Sequence, residues 1–253
     1  MTALNAMEIC KSFGGQRVLD NAWIDVPDHW IVGLIGPNGA GKSTFLTVLS
    51  KFMKPDSGTI ISRNMDVTLR SPHALAAAGV VRTFQVPHEF GDLTVLQNMM
   101  VAAKHQAGEQ IWQALLLPRR VAAQERAVQA KAVEWLDFLG LGPVSGTAAK
   151  NLSGGQKKLL ELGRALMTDP YLLLLDEPFA GVAPGLVDVI IEKILQIRDQ
   201  GIGFLIVEHN MDAVNALCRR VFVMERGRIL TDGPPETVAN DPRVLEAYLG
   251  GAT

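Results

Sequence analysis

Four short segments carry residue types that could do chemistry. The first runs Gly36, Pro37, Asn38, Gly39, Ala40, Gly41, Lys42, Ser43, Thr44, a full match to the P-loop pattern. Its glycines let backbone N–H groups turn inward around a phosphate chain, and a helix following them adds its positive N-terminal end. Lys42 supplies a charge for β- and γ-phosphates, and the Ser43 hydroxyl suits Mg²⁺. The second segment is an apolar run, Tyr171 to Leu175, ending in Asp176-Glu177-Pro178. Carboxylates there fall at the carboxyl end of a strand, where α/β proteins put their ligands. Asp176 fits a metal shell, and Glu177 beside it could polarise an attacking water.

The third segment, Leu152-Ser153-Gly154-Gly155-Gln156, opens a helix with the sequence KKLLELGRALM. Ser153 is a good N-cap, and two glycines expose backbone N–H groups. A capped helix start is the plain explanation of any SGG. Here it would be a second anion-binding helix end in a chain with one P-loop lysine, so its phosphate would come from elsewhere. The fourth comprises two single residues, Gln85 in RTFQ and His209 in LIVEHN, the histidine just past an apolar strand. A lone histidine in such a place is more often structural than catalytic.

The elements that must position these residues follow from pattern. Met7 to Phe13 and Val18 to Val26 read as strands about the turn Gly14-Gly15. The apolar run Trp30 to Ile35 stops at the P-loop, and Lys42 to Phe52 reads as a helix: strand, glycine-rich loop, helix. Further β segments are expected at 58–61 and 66–69. Between about 93 and 141 the chain turns Ala- and Gln-rich. Val128, Ala132, Trp135, Leu136 and Leu139 recur there at helical spacing, which predicts an insertion of two or three helices broken at Pro118-Arg119-Arg120. Alternation then returns: helix 154–168, strand 171–175, helix 185–199, strand 203–207, helix 210–218, strand 221–224.

Composition narrows the function classes. The 253 residues are 48% hydrophobic and 20% charged, which describes an ordinary globular protein and not a disordered one. Lys and Arg total 24 against 26 Asp and Glu, a net charge of −2, so no basic excess points to nucleic acid. Two cysteines, Cys10 and Cys218, form no CxxC pair, which argues against a disulfide scaffold and fits a reducing compartment. The opening MTALNAMEIC lacks the order of a secretory leader. No apolar run approaches the roughly 18 residues of a membrane span. A protein of this kind working at a membrane would be held there by others.

Taken together, the segments resemble the ATPase subunit of ATP-binding-cassette (ABC) transporters over nearly the whole chain. P-loop kinases and GTPases lack the LSGGQ element. The resemblance implies one α/β domain over 1–253. Its P-loop NTPase core and N-terminal antiparallel β subdomain would occupy 1–92 and 157–253, with a helical subdomain inserted at about 93–156. It implies ATP and Mg²⁺ as cofactors, with Gly36 to Thr44 as the phosphate loop and Ser153 to Gln156 as the signature on nucleotide. Ser43, Gln85 and Asp176 would contact the metal. Glu177, His209, Lys42 and Gln85 would serve catalysis. Phe13 falls where the family stacks an aromatic, commonly tyrosine, on adenine, and Val18 would touch the same ring. Ala183 stands where most members carry aspartate, which puts that cross-dimer contact in doubt.

The implied partners are a second ATPase subunit, like or unlike this one, and two transmembrane permease subunits. An extracytoplasmic solute-binding protein would act through them, with no nucleic acid, and the chain would sit peripherally on the cytoplasmic face of the inner membrane. RTFQ, Phe90, LTVLQN and the ending DPRVLEAYLG are similar to the branched-chain and hydrophobic amino-acid uptake group, with urea and short-amide importers close behind. A lipopolysaccharide-type exporter ATPase is a further alternative. A soluble ABC ATPase acting on ribosomes or DNA is disfavoured by a single P-loop and the lack of sustained heptads.

Overall fold

A computed structural model describes residues 1–83, 89–104 and 118–249. The chain divides into two compact units. One comprises Met1–Gln85, Pro170–Ala180 and Pro184–Thr253; the other comprises Val86–Asp169 and Gly181–Ala183.

The first unit carries two sheets. β1 (Thr2–Phe13) and β2 (Gln16–Pro27) form a long hairpin that continues through β4 (Ser57–Ser62) and β5 (Met65–Asp66), in the order β2-β1-β4-β5. All three pairings are antiparallel. Of the expected strand at 66–69 only Asp66 lies in β5. Asp66 Oδ1 instead accepts the Thr68 N–H at 2.8 Å, a side-chain turn that competes with the ladder.

The six-stranded sheet has the order β10-β9-β3-β8-β7-β6. Its central members are β3 (Ile31–Ile35), β7 (Leu172–Asp176) and β8 (Gly203–Val207), with β6 (Val80–Arg82) and β9 (Arg220–Glu225) flanking them. These pair parallel, and only β10 (Arg228–Gly233) runs antiparallel at one edge. β3, β7 and β8 are buried at every residue. Continuous apolar runs are what a parallel sheet covered on both faces requires. Helices α1 (Lys42–Leu49), α2 (Pro72–Ala78), α6 (Pro184–Asp199), α7 (Met211–Leu217), α8 (Pro235–Ala239) and α9 (Pro242–Leu249) complete this unit. Phe45 of α1, Phe204 of β8 and Phe222 of β9 are among its largest fully buried side chains. Truncating such a residue to alanine typically costs about 3–5 kcal/mol.

The second unit is helical: α3 (Val95–Val101), α4 (Pro118–Phe138), α5 (Gly154–Leu166) and two short 3₁₀ turns. The described part of α4 begins at Pro118, and the segment Pro118-Arg119-Arg120, where the sequence pattern expects a break, is helical. The sequence LTVLQN has a physical reading here. Thr94 and Gln97 cap α3 reciprocally. The fully buried Asn98 accepts the Phe90 N–H at 2.9 Å and donates to the carbonyls of Phe90 and Thr94, each at 3.0 Å. The helix after Ser153 belongs to this unit, which runs on to Asp169, where the sequence pattern ends the helical insertion near 156.

Candidate functional site

In the parallel sheet, Leu34 and Asp176 both stand opposite Val207. The chain therefore leaves β3, β7 and β8 at one carboxyl edge, with Gly36, Glu177 and Glu208 the next residues along. Parallel strands in register thus gather the P-loop, the carboxylate pair and the histidine turn where an α/β sheet binds ligands.

Gly36 turns out of β3 at φ 146°, and a Cβ there would lie 2.1 Å from the Met224 carbonyl of β9, a place only glycine can occupy. Gly41 caps α1, and β2 packs against the loop: a Cβ on Gly41 would meet the Val18 carbonyl at 3.0 Å. Asn38, Gly39 and Ser43 are exposed, whereas Lys42 is buried. Its ammonium donates to the carbonyls of Gly36 at 2.7 Å and Pro37 at 3.0 Å, folding back over the loop. Burial pushes the Lys42 pKa down, against the opposing pull of Glu177 and Asp176.

Asp176 is buried, with its Oδ2 accepting from Arg82 at 2.9 Å. The same guanidinium donates to Thr47 Oγ1 and Ser50 Oγ of α1, each at 3.1 Å. Arg82 thus ties the acid at the end of β7 to the helix that follows the P-loop. Glu177 sits at φ 48°, a left-handed conformation that costs a non-glycine residue about 1–2 kcal/mol. Its N–H donates to the Val207 carbonyl at 2.9 Å, which helps hold it there. His209 is well exposed, with Nδ1 3.9 Å from Glu177 Oε1. That is looser than a hydrogen bond, a spacing common at sites without substrate.

The next turn is held by Glu208, whose carboxylate accepts the N–H groups of Phe179, His209 and Asn210. Neither Arg82 nor Glu208 was singled out from the sequence. Their signal was there: a charged residue terminating an otherwise apolar strand, in VVR and LIVE.

Phe13 ends β1 with its ring half exposed and Lys11 Nζ 5.8 Å from its centroid; Val18 of β2 is partly buried. Ser153 to Gln156 lie in the helical unit. Ser153 Oγ accepts the Gln156 N–H, and Gln156 Oε1 accepts the Ser153 N–H, so the glutamine side chain completes a capping box. Ala183 is exposed. Gln85 lies outside the described residues. The ending DPRVLEAYLG brings Tyr248 of α9 to the loop: burial raises its phenol pKa, opposed by a hydrogen bond with the Gly36 backbone.

Among the described residues no cluster of three His, Cys, Asp or Glu side chains could hold a metal by itself. The donor set of one hydroxyl, Ser43, and one carboxylate, Asp176, suits Mg²⁺, which keeps waters and takes further ligands from phosphate.

The ABC transporter family profile matches residues 19–180, well over half of the chain. The chain belongs to the ABC transporter family. It is a transporter ATPase subunit that binds nucleotide. A second profile, that of the branched-chain amino acid ATP-binding cassette transporter, matches residues 228–253, the part that includes α9. Two relatives align over nearly their whole length. One is a probable branched-chain amino acid transport ATP-binding protein LivG of Methanocaldococcus jannaschii, 40% identical over 254 residues, covering 99% of this chain and 98% of that one. The other is the high-affinity LivG protein of Escherichia coli, 37% identical over 251 residues and 98% of each chain. A solved ATP-binding cassette of an ABC transporter in its ADP conformation superposes with a TM-score of 0.85. It is 39% identical and covers 99% of both chains. Among the described residues of this ABC ATPase, no helix is long and apolar enough to cross a membrane.

Proposed function

We propose that this ABC ATPase powers uptake of branched-chain and other hydrophobic amino acids. The convergence of P-loop, Asp176-Glu177 and His209 on one sheet edge carries the hydrolytic reading. The solute class rests on the family match over 228–253 and on what the LivG relatives are named for.

In this reading Lys42 exchanges the Gly36 and Pro37 carbonyls for phosphate oxygens, and the loop's N–H groups hold the phosphate chain. Phe13 stacks on the base, with Val18 beside it. Glu177 orients the attacking water, His209 and Lys42 stabilise charge developing on the γ-phosphate, and Gln85 with the helical insertion couples nucleotide state to the membrane subunits. Ser43, Asp176 and Gln85 hold Mg²⁺, which when bound neutralises charge between the β- and γ-phosphates. Ser153 to Gln156 serve the nucleotide of a second ATPase subunit, so two subunits close head to tail on two ATP. Two transmembrane permease subunits take up that closure, and a solute-binding protein outside the membrane delivers the amino acid.

The test is to tag this chain, extract it from native membranes in mild detergent and identify what accompanies it. Two multi-spanning proteins and a second ATPase of similar size are expected, with phosphate release by the complex stimulated by a binding protein loaded with leucine, isoleucine or valine. Recovery of ribosomes or nucleic acid without membrane proteins would overturn the transporter reading. Stimulation by urea or short amides alone would overturn the solute.

A further inference from the structure

Glu208 is only 2% exposed. Its Oε1 accepts the Phe179 N–H at 3.2 Å, and its Oε2 accepts the N–H groups of His209 at 2.8 Å and Asn210 at 3.1 Å. Its own N–H donates to the Leu34 carbonyl at 3.3 Å, one residue before β3 ends. The carboxylate therefore joins the segment just past Glu177 to the turn bearing His209, while the backbone N–H of the same residue ties that turn to the strand that delivers the P-loop. Among the described residues no lysine or arginine pairs with it, and the His209 ring nitrogen Nδ1 lies 3.9 Å from its Oε2.

A buried carboxylate without a Lys or Arg partner is an expensive way to satisfy three amides. Its merit is that the two oxygens of one rigid carboxylate fix three amides relative to one another, with the shortest bond, 2.8 Å, to His209. Cys218, whose thiol burial and the Glu208 charge push up to about 12, feels the same local field.

We propose that Glu208 is a positioning residue for hydrolysis: by bridging the Phe179 amide and the His209 turn, it sets the spacing between the Glu177 carboxylate and the His209 imidazole. His209 Nδ1 stands 3.9 Å from each of the two carboxylates, so a shift of either loop changes how Glu177 and His209 are presented to a water and a γ-phosphate at the sheet edge. This inference rests on the hydrolytic roles assigned above to Glu177 and His209.

The experiment compares Glu208→Gln with the unmodified chain in the native complex. The amide is isosteric but keeps one acceptor and gains a donor. With its oxygen on His209 and Asn210, its NH₂ faces the Phe179 N–H and that bridge is lost. Expected are a kcat for phosphate release lowered between about 10- and 100-fold, as small misplacements of reacting groups produce, and a KM for ATP within about twofold of normal. Amide exchange should accelerate at Phe179 and not across β3 or β8. Unchanged kcat would overturn the proposal. So would kcat and KM changing in step with exchange accelerating throughout the unit, the mark of a structural role alone.

Should Glu208→Gln not fold, Glu208→Asp takes its place. It keeps the charge but is a methylene short of both loops, so kcat should again fall with KM kept, and normal kcat or a parallel KM change overturns the proposal. Glu177→Gln serves as the reference. If it turns over normally, the hydrolytic reading itself fails. If it is inactive while folded Glu208 variants are normal, only the positioning role fails.

Discussion

At the scale of single residues, charges are buried where the chemistry needs them. Burial holds Lys42 below the usual lysine value of 10.5. The sign of the pH effect follows. Between the depressed folded value and 10.5 the unfolded chain binds more protons, so the cost of the buried ammonium, present at neutral pH, is relieved as pH rises through that window. Nucleotide affinity should move the other way, because the neutral amine loses its attraction to phosphate. A titration with a fluorescent nucleotide from pH 7 to 10 should show affinity falling before 10.5 is reached, and Lys42→Ala should bind weakly and lose that dependence. Equal nucleotide affinity of Lys42→Ala and the unmodified chain at pH 7 would mean that Lys42 does not carry the phosphate contact. Arg82 makes the complementary case. Replacing it by methionine strands the Asp176 carboxylate in a buried site, which typically costs about 3–5 kcal/mol, and adding Asp176→Asn should return a large part of that. Urea denaturation of the two variants measures both numbers. Equal midpoints for Arg82→Met and the unmodified chain would show the ion pair to be inert.

At the scale of elements, the helix that begins at Gly154 depends on a cap made by its own signature. Ser153 and Gln156 satisfy each other's N–H groups, so Ser153→Ala removes one acceptor and should destabilise the helix by about 1 kcal/mol. A lowered melting temperature with intact single-site nucleotide binding but impaired ATP-driven pairing is the expected pattern. Unimpaired pairing would remove the hydroxyl from any role beyond capping. Elements of this kind were legible in sequence wherever one local rule decided them. The apolar runs of β3, β7 and β8 match their expected positions within a residue, because a strand covered on both faces leaves no room for polar residues. The start of α1 was fixed by the loop before it. Elements settled by distant partners were not legible. β6, three residues long, exists because it pairs with β7, and no periodicity marks so short a strand. The expected strand at 66–69 yielded to the Asp66 side-chain turn, a local bond that propensity does not report. In the site, motif residues could be listed from types and spacing. The groups that hold them, Arg82 and Glu208, show in the sequence only as charges closing apolar runs; what they bind is not legible there, since their partners lie on other strands and loops.

At the scale of the whole molecule, the chain has one P-loop, in one compact unit, and one signature, in the other. In the proposed reading, the anion that meets the amides of the Ser153 helix end is the phosphate of a nucleotide held by a second subunit's loop. Assembly should therefore depend on the substrate's survival. In Glu177→Gln the amide still accepts and donates hydrogen bonds but cannot take up the proton of an attacking water, so ATP should remain intact in the site. Light scattering on sized samples should show this variant doubling in mass with Mg²⁺ and ATP, alone or with its related ATPase. Adding Lys42→Ala should abolish the doubling, because the loop then fails to hold the phosphates. Mass doubling equally well with ADP would mean that pairing reads the base and not the γ-phosphate. That would place the energy of closure elsewhere than at the sheet edge where Glu177 and His209 stand 3.9 Å apart, since ADP lacks the γ-phosphate on which their proposed roles depend.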